Sequence, residues 1–192
     1  SPGSVFTVYV RFTPGKNLGV SPLISKGLGS YGIRLVEDGK FIEVYVSTPD
    51  QTLLRMELPS EWSHREHELL CFSDGEALHL IIDEEESCSI RHSGAPMATD
   101  SPFVVGACPD VFSDRFNSSD GKYVGSFKEV AVFSNPIPSL ASFREYLGRS
   151  ECVAHFDFRA FANDRDNTPF YAHGGDFGDQ PNSNTFCHNG IN

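Results

Sequence analysis

From Val5 to Phe12 apolar and polar side chains alternate, and Phe6, Val8, Val10 and Phe12 fall on one face. A period of two marks a half-buried strand. Pro14-Gly15 ends it. Similar units follow at Leu23–Lys26, Tyr31–Val36, Phe41–Ser47, Leu53–Leu58, Glu68–Phe72, Ala77–Asp83 and Cys88–His92. Each is short, rich in β-branched or aromatic residues, and bounded by Gly, Pro, Asp or Ser. The run from Glu37 to Lys40 predicts a hairpin turn, with Asp38-Gly39 supplying the positive-φ residues that a tight turn needs. Ser73-Asp74-Gly75-Glu76 predicts a second. Residues 93–121 read as a long loop with one short strand near Phe103–Gly106. A strand is expected over Lys122–Phe133, with Tyr123, Gly125, Phe127, Val130 and Val132 as packing candidates, and Asn135-Pro136 breaks it. Ser139–Leu147 predicts the one helix: Ser139 can cap it, Leu140, Phe143 and Leu147 form a stripe, and Gly148 stops it. Val153–Phe158 reads as a last strand. Short strands at this spacing, joined by tight turns, predict an all-β antiparallel sandwich or jelly roll with one short helix.

Composition agrees with that class. Phe is frequent (16) and Met rare (2), which favours sheets over helical bundles. The 192 residues suit one β domain with a short appendage. A net charge of −11 argues against nucleic-acid backbones and anionic membranes as partners. A neutral sugar remains compatible with it. No apolar run approaches the length of a membrane span. The five cysteines are odd in number and lack C-x-x-C pairs, which favours free thiols and a cytoplasmic setting.

Three sets of residues could carry chemistry in the sandwich. Asp110, Asp114, Asn117 and Asp120 offer oxygen ligands of the kind Ca²⁺ takes, against the alternative of a solvated acidic loop. Trp62, Tyr45 and Phe112 could stack on sugar rings if exposed, against the alternative of core packing. His64 and His67 are three apart, but on a strand they would point to opposite faces, so a metal pair is not expected.

The pieces Leu23-Ile24-Ser25-Lys26-Gly27 with Ser30 to Leu35, His67 through Asp74-Gly75 to Asp83, and Tyr123 through Phe133 come in an order and spacing that resemble the concanavalin A-like, laminin G-like jelly rolls. That resemblance implies two curved antiparallel sheets packed face to face. Two places depart from it. Glu66 stands where Trp often precedes the His, and Asp83-Glu84 replaces an Asp-Gly turn.

The C-terminal stretch is of another kind. Gly174-Gly175-Asp176-Phe177-Gly178-Asp179, then Pro181, then Phe186-Cys187-His188-Asn189-Gly190 resembles a segment of the catalytic barrel of glycoside hydrolase family 2 β-galactosidases. The resemblance implies that Phe186, through its carbonyl, and Asn189, through its side chain, serve an active-site Na⁺ in a parent enzyme. The Asn-Glu and Cys-Glu-Tyr motifs that carry that family's two catalytic glutamates are absent here. The expected organisation is therefore a laminin G-like sandwich at 1–159 and a loop-rich hydrolase segment at 160–192. Its expected role is non-catalytic: carbohydrate binding beside a β-galactoside-cleaving site, with the remainder of the parent hydrolase as a partner. The alternatives are a structural or oligomerisation insert shaping the active-site mouth, and a calcium-dependent adhesion module.

Overall fold

The computed structural model describes residues 4–16, 19–49, 51–84, 86–107, 123–147, 151–158 and 170–172. The strands are β1 (Phe6–Pro14), β2 (Ser21–Ser25), β3 (Tyr31–Val36), β4 (Phe41–Val46), β5 (Thr52–Glu57), β6 (His67–Ser73), β7 (Ala77–Ile82), β8 (Glu86–Arg91), β9 (Phe103–Val105), β10 (Gly125–Phe133), β11 (Cys152–Asp157) and β12 (Phe170–Ala172). The helix α1 spans Leu140–Tyr146 between β10 and β11. They form two six-stranded sheets, ordered β11-β10-β1-β6-β7-β8 and β12-β9-β2-β3-β4-β5. Every pairing is antiparallel.

The alternation read from the sequence fixes which side chains face inward. Phe6, Val8, Val10 and Phe12 of β1 meet Ile33, Leu35, Ile42 and Val44 of the second sheet in one core. Leu69, Leu78, Leu80, Val130 and Val132 complete its wall. The other face of β1 is buried too. Tyr9, Leu70, Phe72, Ala131 and Phe133 lie under α1, which contributes Leu140 and Phe143. Phe143 stacks on Tyr9 with ring centres 3.7 Å apart.

The helix begins where expected. The Ser139 hydroxyl accepts from the Ser142 N–H, an N-cap. The expected stop at Gly148 lies outside the described residues. Thr7 anchors the approach to the helix: its hydroxyl donates to the Asn135 carbonyl and accepts from the Ile137 N–H.

Several boundaries differ from the expectation. The tenth strand starts at Gly125, because the Tyr123 N–H is already spent on the Gly106 carbonyl. In the β3–β4 turn, Glu37, Asp38 and Gly39 are all left-handed, with φ of 51°, 60° and 83°. The positive-φ run is thus one residue longer than Asp-Gly alone implied. β11 pairs with β10, which attaches it to the sandwich. Phe170–Ala172, from the C-terminal segment, pairs with β9 and extends the second sheet.

Candidate functional site

The loop between β5 and β6 and the turn between β7 and β8 meet at one rim. Leu58 is buried at the end of β5, and Pro59 turns the chain, its carbonyl accepting from the Trp62 N–H at 3.1 Å. Trp62 then drops inward and is only 6% exposed. Its indole stacks on His67 at 4.2 Å between ring centres and meets the ring of Phe12 edge-on at 5.4 Å.

His67 opens β6 and is itself buried. Its Nε2 donates to the Trp62 carbonyl at 2.7 Å, and its Nδ1 lies 2.6 Å from Asp83 Oδ2. Asp83 is held from three sides. Its Oδ1 accepts from the Glu68 N–H at 2.8 Å, and its own N–H donates to the Glu68 carbonyl at 2.9 Å. Asp83 and Glu84 are left-handed, at φ 52° and 63°, and so is His64 at 66°. Left-handed conformations are unfavourable for side chains of this kind and persist only where surrounding contacts hold them. Here the Glu68 and His67 contacts hold Asp83, and the His64 N–H donates to the Pro14 carbonyl at 2.8 Å.

These residues enclose a cavity of about 400 Å³ lined by Ser60, Glu61, Trp62, Arg65, His67 and Asp83 together with Pro59 and Ile82. That is the size range of small-molecule sites. Glu61 and Arg65 stand at its mouth as an exposed ion pair 3.7 Å apart. The wall is therefore half aromatic and aliphatic, half carboxylate, guanidinium and hydroxyl. Such a lining sets charged hydrogen-bond partners for hydroxyl groups beside an apolar wall.

The expected stacking aromatics fare differently from one another. Trp62 reaches the cavity, but one face is taken by His67. Tyr45 is 4% exposed. Its ring lies across Gly32, where a Cβ would come within 2.4 Å of the phenol oxygen. Its hydroxyl bonds Ser25 Oγ at 2.8 Å, and the Arg34 guanidinium sits 5.4 Å over the ring. Burial therefore gives Tyr45 a packing role on the outer face of the second sheet. Exposure was the condition for sugar stacking, and neither Tyr45 nor Trp62, 6% exposed, meets it; Trp62 serves as part of the cavity wall. Phe112, the acidic set Asp110, Asp114, Asn117 and Asp120, and the tail pair Phe186 and Asn189 lie outside the described residues. His64 is not on a strand, and among the described residues no three His, Cys, Asp or Glu side chains gather as a metal site. Of the cysteines, Cys71, Cys88 and Cys152 are free thiols; burial pushes the Cys71 thiol up, well away from thiolate chemistry. No helix among the described residues is long and apolar enough to cross a membrane.

A second polar cluster lies on the outer face of the first sheet. Glu66 pairs with Arg11 and Lys128. Glu68 accepts from the Tyr9 hydroxyl at 2.6 Å and faces Arg144 at 3.5 Å. Glu129, 1% exposed, meets His155 at 2.8 Å and Arg144 at 3.9 Å. A partner on each carboxylate holds the Glu66 carboxyl below its usual range, Lys128 contributing most. Burial and Glu68 push the Tyr9 phenol up. The charges are matched within the cluster, which suits it to pinning α1 and β11 to the sheet.

Sequence reasoning singled out Trp62 but missed Asp83 and Arg65. The Asp83-Glu84 departure from an Asp-Gly turn was the available signal for the first. Nothing in the pattern marks Arg65.

A Bacteroides ovatus protein described as a candidate carbohydrate-binding protein superposes with a TM-score of 0.62 at 14% identity, over 81% of this chain and 45% of that one. Mouse laminin α1 domains LG4-5 superpose at 0.52 and 16% identity, over 68% and 35%. Tailspike protein 2 of an Escherichia coli O157:H7 bacteriophage gives 0.55 and 12%, over 83% and 24%. The fold is laminin G-like. The chain spans less than half the length of each of these structures. No protein-family model and no curated protein matches it. None of these likenesses extends to a β-galactosidase.

Proposed function

We propose that this laminin G-like sandwich is a non-catalytic carbohydrate-binding module, and that the rim cavity at Trp62 is its sugar site. The observation that carries the reading is the cavity itself: about 400 Å³, lined by Trp62 and Ile82 together with Glu61, Arg65 and Asp83. A pyranose has the matching chemistry, with one apolar C–H face and a rim of hydroxyls. The likeness in fold to the Bacteroides ovatus protein points the same way. The C-terminal motif from Gly174 to Gly190 supports a finer reading, in which the parent chain is a β-galactosidase-type hydrolase and the ligand a β-galactoside. In that parent, Phe186 and Asn189 would serve the active-site Na⁺. A module of this kind raises the local concentration of substrate even when its own affinity is weak.

Isothermal titration of the chain with lactose and methyl β-galactoside tests the proposal. Binding heat is expected, and Arg65→Ala should weaken affinity about tenfold, the loss of one charge-assisted hydrogen bond. Arg65 is highly exposed, so the change leaves the core alone. No heat with either sugar would remove the β-galactoside assignment. No heat with a broad panel of neutral sugars would remove the carbohydrate reading.

A further inference from the structure

β8 is the last strand of the first sheet, with β7 on one side and no described strand on the other. The His92 N–H donates to the Glu76 carbonyl, next to the Ala77–Arg91 pair. In an antiparallel ladder, bonded and non-bonded pairs alternate. Ile90 and Cys88 therefore spend their main-chain groups on Leu78 and Leu80. Ser87, Ser89 and Arg91 turn theirs outward. All three are exposed.

The side chains show a matching gap. Leu78 and Leu80 are fully buried on the core face, and Cys88 packs partly against that core. Ile90 lies on the same face, opposite Leu78, yet is 40% exposed because the sheet stops there. The charges of β8 stand at its two ends, Glu86 and Arg91, and Ser87–Ile90 between them contains no charged residue and no Pro.

We propose that β8 pairs with β8 of a second copy of this chain, antiparallel and with Ser89 on the two-fold axis. In that register Ser87 stands opposite Arg91 of the partner, and the outward groups of both strands close a ladder of about six main-chain hydrogen bonds. Cys88 falls opposite the partner's Ile90 on the core face, twice by symmetry. Each exposed Ile90 thereby gains apolar cover and the two core faces become continuous. The charges agree with this direction. The β7–β8 turn carries the exposed Glu84, and Arg91 stands at the other end of the strand. Antiparallel pairing brings each arginine toward the partner's acidic turn, whereas a parallel pairing would stack like ends.

Sedimentation velocity from micromolar to submillimolar concentration reads the proposal, with amide hydrogen exchange on the same samples. A dimer is expected at the upper concentrations, and the amides of Ser87, Ser89 and Arg91 should slow as it forms. Ser89→Pro removes an outward donor without breaking the β7–β8 ladder, and Ile90→Lys places a charge on the joined core face. Both should sediment as monomers. A monomer throughout the range would overturn the proposal, as would a dimer in which those three amides exchange no more slowly. The exchange readout needs no variant, so a misfolded substitution cannot mask the answer.

Discussion

The Asp74 carboxylate accepts from the N–H groups of Glu76 and Ala77 at 2.9 and 2.8 Å and faces His79 Nε2 at 3.0 Å. The two backbone donors, with His79 after them, hold its pKa down to about 2. A depressed carboxylate stabilises the fold above its unfolded value, near 3.9, and that contribution is lost as pH falls through the folded value. The stability gap between the parent and Asp74→Ala should therefore be full above about pH 4 and shrink toward pH 2. Denaturant midpoints measured across that range check it; a gap that persists unchanged at pH 2 contradicts it. The turn itself was legible, because Asp-Gly demands this geometry. Tyr45 was less so: the residue that decides its role is Gly32, its cross-strand partner on β3, whose missing side chain makes room for the ring. Gly32→Ala should lift that ring and cost about 1–3 kcal/mol, read from chemical denaturation.

At the scale of elements, α1 is short for a helix and stands by its burial. Phe143 is 1% exposed, face-on to Tyr9 and edge-on to Phe133. Phe143→Ala should cost about 3–5 kcal/mol and expose the outer face of the first sheet to dyes that bind apolar surface. An unchanged denaturation midpoint would mean that the helix is not part of the cooperative unit. The helix was readable from its cap and its apolar stripe. The second core beneath it was not, because alternation in β1 marks one face as apolar and leaves Thr7 and Tyr9 as the solvent side. Their burial is a tertiary effect of α1 lying across them. Glu129 has the same origin: it reads as an exposed strand residue, yet it is buried and depends on His155 and Arg144. His155→Ala should leave that carboxylate short of a donor and cost about 1–3 kcal/mol, again by denaturation.

At the scale of the whole molecule, two-sheet architecture followed from strand length, turn chemistry and period. These are local properties, so a sequence displays them. Strand order and the rim cavity are not local. Trp62, Arg65 and Asp83 come together only because β6 and β7 are neighbours and the loop before β6 folds back over their ends. The resemblance carried by the C-terminal motif lies on residues beyond β12, outside the described structure, and stands as a proposal about the parent chain.

The rim cavity is the proposed sugar site. Two-dimensional NMR of the ¹⁵N-labelled chain, titrated with lactose and with longer galactose-terminated oligosaccharides, tests this most directly. Saturable shifts are expected at residues 60–67 and at Asp83 and Glu84, with the Trp62 indole N–H among them. Shifts confined to the outer face of either sheet, or none at millimolar sugar, would contradict it.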